Sequence, residues 1–221
     1  MEKTSGNIDW NKALSPLFSK YGRRKHPLEY ENIYQLVVMV ILSSRSTDVL
    51  INKIAPKLFE AFPSMKEMAE AKPEDLFPYV HGITNFRHKS EWIVSIARTV
   101  GDDGHIPTGM EGLTSLPGIG RKSANVIIGE SGGKPEGVIV DLHVARVAPR
   151  LGLTKSDKPD KIEEDVMKAI LPKYWHRAGM GMTFLGREIC RPKNPKCPEC
   201  VVREVCGYYG KIRGPNGSAR R

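Results

Sequence analysis

Residues 116–124 read Leu-Pro-Gly-Ile-Gly-Arg-Lys-Ser-Ala. Pro117 and the two glycines force a tight reversal between a helix that ends near Leu116 and another that starts directly after Gly120. The product is a helix-hairpin-helix. Its glycines let backbone N–H groups approach a phosphate at the positive end of the second helix, which grips a nucleic-acid backbone without reading its sequence. A Pro-Gly pair also serves in plain helix connections. Here Arg121 and Lys122 follow it, in a chain of net charge +9 and pI near 9.4.

In the second helix of the hairpin, Ala124, Ile127 and Ile128 recur at helical spacing, which sets Lys122 on the opposite side, near the N-terminal end. A lysine there suits solvation, a phosphate contact or, in its neutral form, nucleophilic attack. About twenty residues on comes Val138-Ile139-Val140-Asp141-Leu142-His143-Val144-Ala145-Arg146. Asp141 stands between an apolar run and a helical one, where an N-cap belongs. A carboxylate fixed at a helix start also suits stabilisation of developing positive charge or acceptance of a proton. His143 and His176 read as helix-surface or core histidines, without a catalytic role.

Upstream the chain reads as helix throughout, with no alternating pattern long enough for a strand. Ile33 to Leu42 is apolar nearly all round, as a buried central helix must be. Thr47 and Asp48 cap a helix carrying Leu50, Ile51, Ile54 and Leu58. Ser64 and Glu67 form a capping box, and Pro73 to Leu76 opens a turn ending near Gly82. Lys89 to Thr99 carries Trp92, Ile93, Ile96 and Ala97 at helical spacing and stops before Gly101. Gly132 to Gly137 reads as a connection between two parts of the chain. The glycine-rich basic stretch from Gly207 to Arg221 reads as a disordered tail, with Lys211, Arg213, Arg220 and Arg221 adding weak phosphate attraction.

All four cysteines fall in one window, Cys190, Cys197, Cys200 and Cys206, spaced C-x6-C-x2-C-x5-C. Clustered thiolates point to a metal centre, either an iron-sulfur cluster or a structural zinc. Zinc sites usually show two close pairs, whereas only Cys197 and Cys200 form one here. Paired disulfides belong to small secreted domains, and this start carries no signal-peptide pattern. The longest apolar run, Leu36 to Leu42, is too short to span a bilayer. An intracellular, reducing location is expected.

Taken together, LPGIGRKSANV, VDLHVARV, the early segment LSSRSTDVLINK and the cysteine spacing resemble endonuclease III, a family of DNA glycosylases and abasic-site lyases, from about Ile33 to Cys206. The resemblance implies an all-α, two-lobed helix-hairpin-helix DNA glycosylase fold. A six-helix domain would span 27–135. A discontinuous iron-sulfur domain would join 1–26 to 136–221, with disorder from about 208 and an active site in the cleft between the lobes. It implies catalytic roles for Lys122 and Asp141, and a 4Fe-4S cluster on Cys190, Cys197, Cys200 and Cys206. DNA contacts would come from Gly118, Ile119, Gly120 and Arg121, and from Lys193 and Lys196 in the cysteine loop. The implied partner is double-stranded DNA with a damaged base or abasic site, met by a monomer in the cytoplasm or nucleoid.

Three features depart from the family pattern. Arg45 stands where the family has a glutamine that fills the gap left by a flipped nucleotide, which bears on lesion range and opposite-base preference and keeps a noncatalytic DNA clamp as an alternative. Ile83 falls where the family has a leucine wedge, and as an aliphatic side chain of similar size it is expected to intercalate into DNA in the same way. Pro149 is expected to end the helix after Asp141 early.

Overall fold

The computed structural model describes residues 8–213, which hold thirteen α-helices, five short 3-10 turns and no strand. The all-α expectation is met. The chain divides into two units: Lys25–Lys134, and a discontinuous unit joining the N-terminal segment through Arg24 to the chain from Pro135 onward.

The discontinuous unit opens with α1 (Trp10–Ala13), where the Asp9 carboxylate accepts from the Asn11 and Lys12 amides. Helix α2 (Ser15–Tyr21) then buries Leu17 and Tyr21.

Within the central unit, α3 (Ile33–Ser43) starts at Asn32, whose side chain accepts from the Gln35 amide. It buries Tyr34 and every residue from Leu36 to Leu42. A helix with no polar face satisfies itself only at the centre of a bundle. Helix α4 (Asp48–Ala61) begins as its sequence indicates, with Thr47 Oγ1 accepting from the Leu50 amide. Helix α5 (Met65–Glu70) begins at Ser64, whose hydroxyl accepts from the Lys66 amide and donates to Glu67. The short α6 (Phe77–Val80) leads to α7 (Phe86–Val100), which stops at Gly101 in the left-handed region, φ 82°. Helix α7 starts a turn earlier than its apolar spacing suggests, because Arg87 and His88 face solvent there and leave no hydrophobic mark. Helices α8 (Met110–Thr114) and α9 (Arg121–Glu130) form the hairpin, and α3 packs against α4, α7 and α9.

After Pro135 the chain returns to the discontinuous unit with α10 (Leu142–Leu151), α11 (Pro159–Ala169), α12 (Trp175–Glu188) and α13 (Gly207–Arg213). Helix α12 packs against both α2 and α10. The approach to α10 is close enough that a Cβ on Gly186 would lie 2.7 Å from the His143 Cβ.

Two expectations are corrected in this unit. Helix α10 runs through Pro149 and ends at Gly152, φ 103°, whose amide donates to the Ala148 carbonyl. Burial of Val147, Ala148 and Leu151 on either side of the proline holds the last turn against the loss of one amide donor. The stretch from 207 is helical as far as Arg213, where disorder was expected. The Tyr208 ring lies 4.8 Å from the Arg150 guanidinium, a cation–π contact that composition cannot reveal. Arg220 and Arg221 lie outside the described residues.

Candidate active site and metal centre

The hairpin turn depends on Gly118. Its φ is 77°, and a Cβ there would meet Trp92 Cε3 of α7 at 2.4 Å, so both backbone and space exclude a side chain. Ile119 is turned inward, 4 % exposed, and its amide donates to the Leu116 carbonyl at 3.3 Å. It therefore holds the reversal closed, while Gly118 and Gly120 lie on the surface. Gly120 is the N-cap of α9 and supplies no side-chain acceptor, unlike Asn32, Thr47 and Ser64 on earlier helices. The first amides of α9 thus have no intrahelical acceptor and no capping side chain. Arg121 and Lys122 are exposed in this first turn, while Ala124 through Ile128 are buried.

Asp141 is the N-cap of α10 in the discontinuous unit. Its Oδ1 accepts from the His143 and Val144 amides, both at 2.8 Å, and its Oδ2 accepts from the Thr183 hydroxyl at 3.1 Å. Three donors, two amides at the helix start and one hydroxyl, fix the direction of the carboxylate. Thr183 is buried on α12. Burial also pushes the imidazole of His143 toward its neutral form, and Arg146 Nη2 lies 3.2 Å from its Nδ1.

Arg45 is exposed in the turn between α3 and α4, with its backbone in the left-handed region at φ 58°. Thr84 Oγ1 donates to its carbonyl at 3.3 Å, joining it to the turn before α7. Ile83, in that second turn, is 3 % exposed, so it is not presented as a wedge. Its amide donates to the Val80 carbonyl, and its own carbonyl accepts from the Phe86 amide, which folds it under the turn. Thr84 and Asn85 are the exposed side chains there.

The four cysteines line a single cavity, together with Val147, Leu151, Leu185 and Ile189. None forms a disulfide. Among the described residues no three Cys, His, Asp or Glu side chains converge as one metal ion requires. Burial pushes the Cys200 thiol up to about 11 and raises Cys197 and Cys206, so a metal centre must displace protons to bind there. Two arginines of α10 anchor the loop. Arg146 donates to the Cys190 and Gly186 carbonyls, both at 2.9 Å. Arg150 donates to the Cys190 sulfur at 3.4 Å and to the Arg191 and Pro192 carbonyls at 2.8 and 3.2 Å. Lys193 is exposed, and Lys196 is exposed beside Glu199 at 3.7 Å.

Residues 38–172 match the HhH-GPD superfamily of base excision DNA repair proteins. An endonuclease III of Synechocystis sp. is 37 % identical over 181 residues, covering 81 % of this chain and 83 % of that one. The chain belongs to the endonuclease III family. An endonuclease III of Thermotoga maritima is 36 % identical, covering 80 % of this chain and 83 % of its own length. The structure of a trapped endonuclease III–DNA covalent intermediate superposes with a TM-score of 0.81 at 30 % identity, over 90 % of this chain and 95 % of that one. As a member of the endonuclease III family, the protein is a DNA glycosylase and abasic-site lyase of base excision repair.

The family resemblance directs attention to Lys122, Asp141 and the cysteines but passes over the residues that hold them. Thr183, Arg150 and Lys89 lie outside the motifs, and Arg146 lies inside one that does not show its partners, because each acts on a group distant in sequence. Lys122 lies in the central unit and Asp141 in the discontinuous one. The cysteines are assembled within one unit, as are Arg45 and the turn around Thr84.

Proposed function

We propose that the chain removes oxidised pyrimidines from duplex DNA and then cleaves the abasic site by β-elimination, with Lys122 as nucleophile and Asp141 as the charged group that assists it. The observation that carries this reading is the first turn of α9, where an exposed lysine follows a glycine-capped helix start with no capping side chain. Those amides suit a phosphate, and Gly118, Gly120 and Arg121 flank them. Ile119 contributes by holding the turn.

In the proposed reaction the damaged nucleotide is extruded from the stack. The neutral Lys122 amine attacks C1′ as the glycosidic bond breaks, and the base leaves with that electron pair and takes up a proton. Nitrogen then loses a proton and its lone pair expels the ring oxygen from C1′; that oxygen takes up a proton as the 4′ hydroxyl, and the opened sugar is held as the protonated imine. Removal of a C2′ proton then expels the 3′ phosphate by β-elimination, and water releases the enzyme. Asp141, held by three donors, stabilises the cationic sugar. Arg45 meets the base left unpaired, its planar donors matching acceptors on a base edge.

Cys190, Cys197, Cys200 and Cys206 would hold a 4Fe-4S cluster. All four line one cavity, and four clustered thiolates are the ligand set such a cluster takes. The cluster would brace the loop that presents Lys193 and Lys196 to DNA. The protein would act as an intracellular monomer; no helix among the described residues is long and apolar enough to cross a membrane.

Borohydride trapping on duplexes with an abasic site or an oxidised pyrimidine tests the reading. A covalent adduct is expected from the intact protein and none from Lys122→Ala. Absence of an adduct on both duplexes, despite measurable DNA binding, would leave a water-using glycosylase or a DNA clamp.

A further inference from the structure

Three non-glycine residues among those described have left-handed backbone, and two of them, Arg45 and Asn85, lie in turns tied to each other by the Thr84–Arg45 hydrogen bond. Such conformations are costly for a side-chain-bearing residue and persist where surrounding structure imposes them. Beneath this pair lies Lys89, on the first turn of α7 and only 3 % exposed. Its ammonium donates to the Leu42 carbonyl at 2.9 Å and to the Ser44 carbonyl, at the C-terminal end of α3. A buried lysine is costly, so this arrangement is more than a helix cap that any exposed cation would supply. Desolvation, with Arg45 as a nearby positive charge, lowers the Lys89 pKa to about 8. The molecule thus keeps a second cation close to Arg45, against Coulomb repulsion, to fix the carbonyls on which that turn is built.

We infer that Lys89 and Thr84 are positioning residues for Arg45. Lys89 fixes the carbonyls immediately before it and Thr84 fixes its own carbonyl, so that the guanidinium is offered to the orphaned base from one direction. Preference for that opposite base is then set partly by Lys89, which is too buried to touch DNA. The inference rests on the proposed role of Arg45.

The test measures single-turnover release of one oxidised pyrimidine placed opposite each of the four bases. The readout is the ratio of fastest to slowest rate, which a general loss of stability does not move. Arg45→Ala is expected to compress that ratio about tenfold, the order expected for losing a bidentate base contact. Thr84→Val and Lys89→Met are each expected to compress it at least about threefold, and Thr84→Ser, which keeps the hydroxyl, to preserve it. Should Lys89→Met fail to fold, the exposed Thr84→Val decides alone. Compression by Arg45→Ala, with the wild-type ratio kept in Thr84→Val and in folded Lys89→Met, overturns the inference and leaves the reading of Arg45 standing. No change with Arg45→Ala overturns that reading itself.

Discussion

The Thr183 hydroxyl donates to Oδ2 of Asp141 at 3.1 Å from the buried face of α12, while two α10 amides occupy Oδ1. Asp141 is therefore held from two helices. A hydrogen bond to a charged group contributes about 1.5–3 kcal/mol. Thr183→Val, nearly isosteric, is expected to slow single-turnover base release about tenfold with little change in melting temperature, and Thr183→Ser to retain the rate. Equal rates for Val and wild type would show that the backbone cap alone orients the carboxylate.

The two hairpin glycines differ in what they tolerate. Gly118→Ala places a Cβ against Trp92 in a left-handed residue and is expected to destabilise the protein by about 2 kcal/mol or more. A Cβ at Gly120 meets nothing within 4 Å, at φ −89°. Gly120→Ala should cost less than about 1 kcal/mol in stability yet weaken duplex binding, because it crowds the approach of a phosphate. Urea denaturation and binding titrations check both, and equal destabilisation by the two substitutions would contradict the distinction.

Arg150 joins α10 to the Cys190 sulfur and to two carbonyls beyond it. Arg150→Ala should leave the helical circular dichroism intact and lower the iron bound per protein after purification. Iron retained at the wild-type level would mean that the cysteine loop holds its shape without this arginine.

Lys89 makes stability depend on pH in a particular window. Its folded pKa, about 8, lies below the ordinary 10.5, so between these values the unfolded chain binds more protons and stability rises with pH. Tyr21, pushed up to about 12, acts in the opposite sense only above pH 10. From pH 8 to 9.5 the wild type should therefore gain stability relative to Lys89→Met, by no more than about 1.4 kcal/mol per pH unit. Parallel urea midpoints across that range would refute the buried-charge account.

Sequence alone determined whatever depends on neighbours along the chain. The helix starts at Asn32, Thr47, Ser64 and Asp141 involve donors within three residues, and the reversal at Gly118 depends on one backbone conformation. The central position of α3 follows from its lack of a polar face. The cysteine spacing is similarly local, and the four residues meet within one unit. Tertiary structure decided what depends on partners far along the chain. Ile83 is buried although its place in the motif implied exposure, and α10 passes through Pro149 because packing on both sides supports it. Helix α13 carries Tyr208 against Arg150, a contact 58 residues apart in sequence. Thr183 reaches Asp141, and Lys89 reaches the carbonyls beside Arg45, because helices bring them within hydrogen-bonding distance. Spacing and composition register caps, turns and faces; they do not register a polar side chain whose partner is another helix.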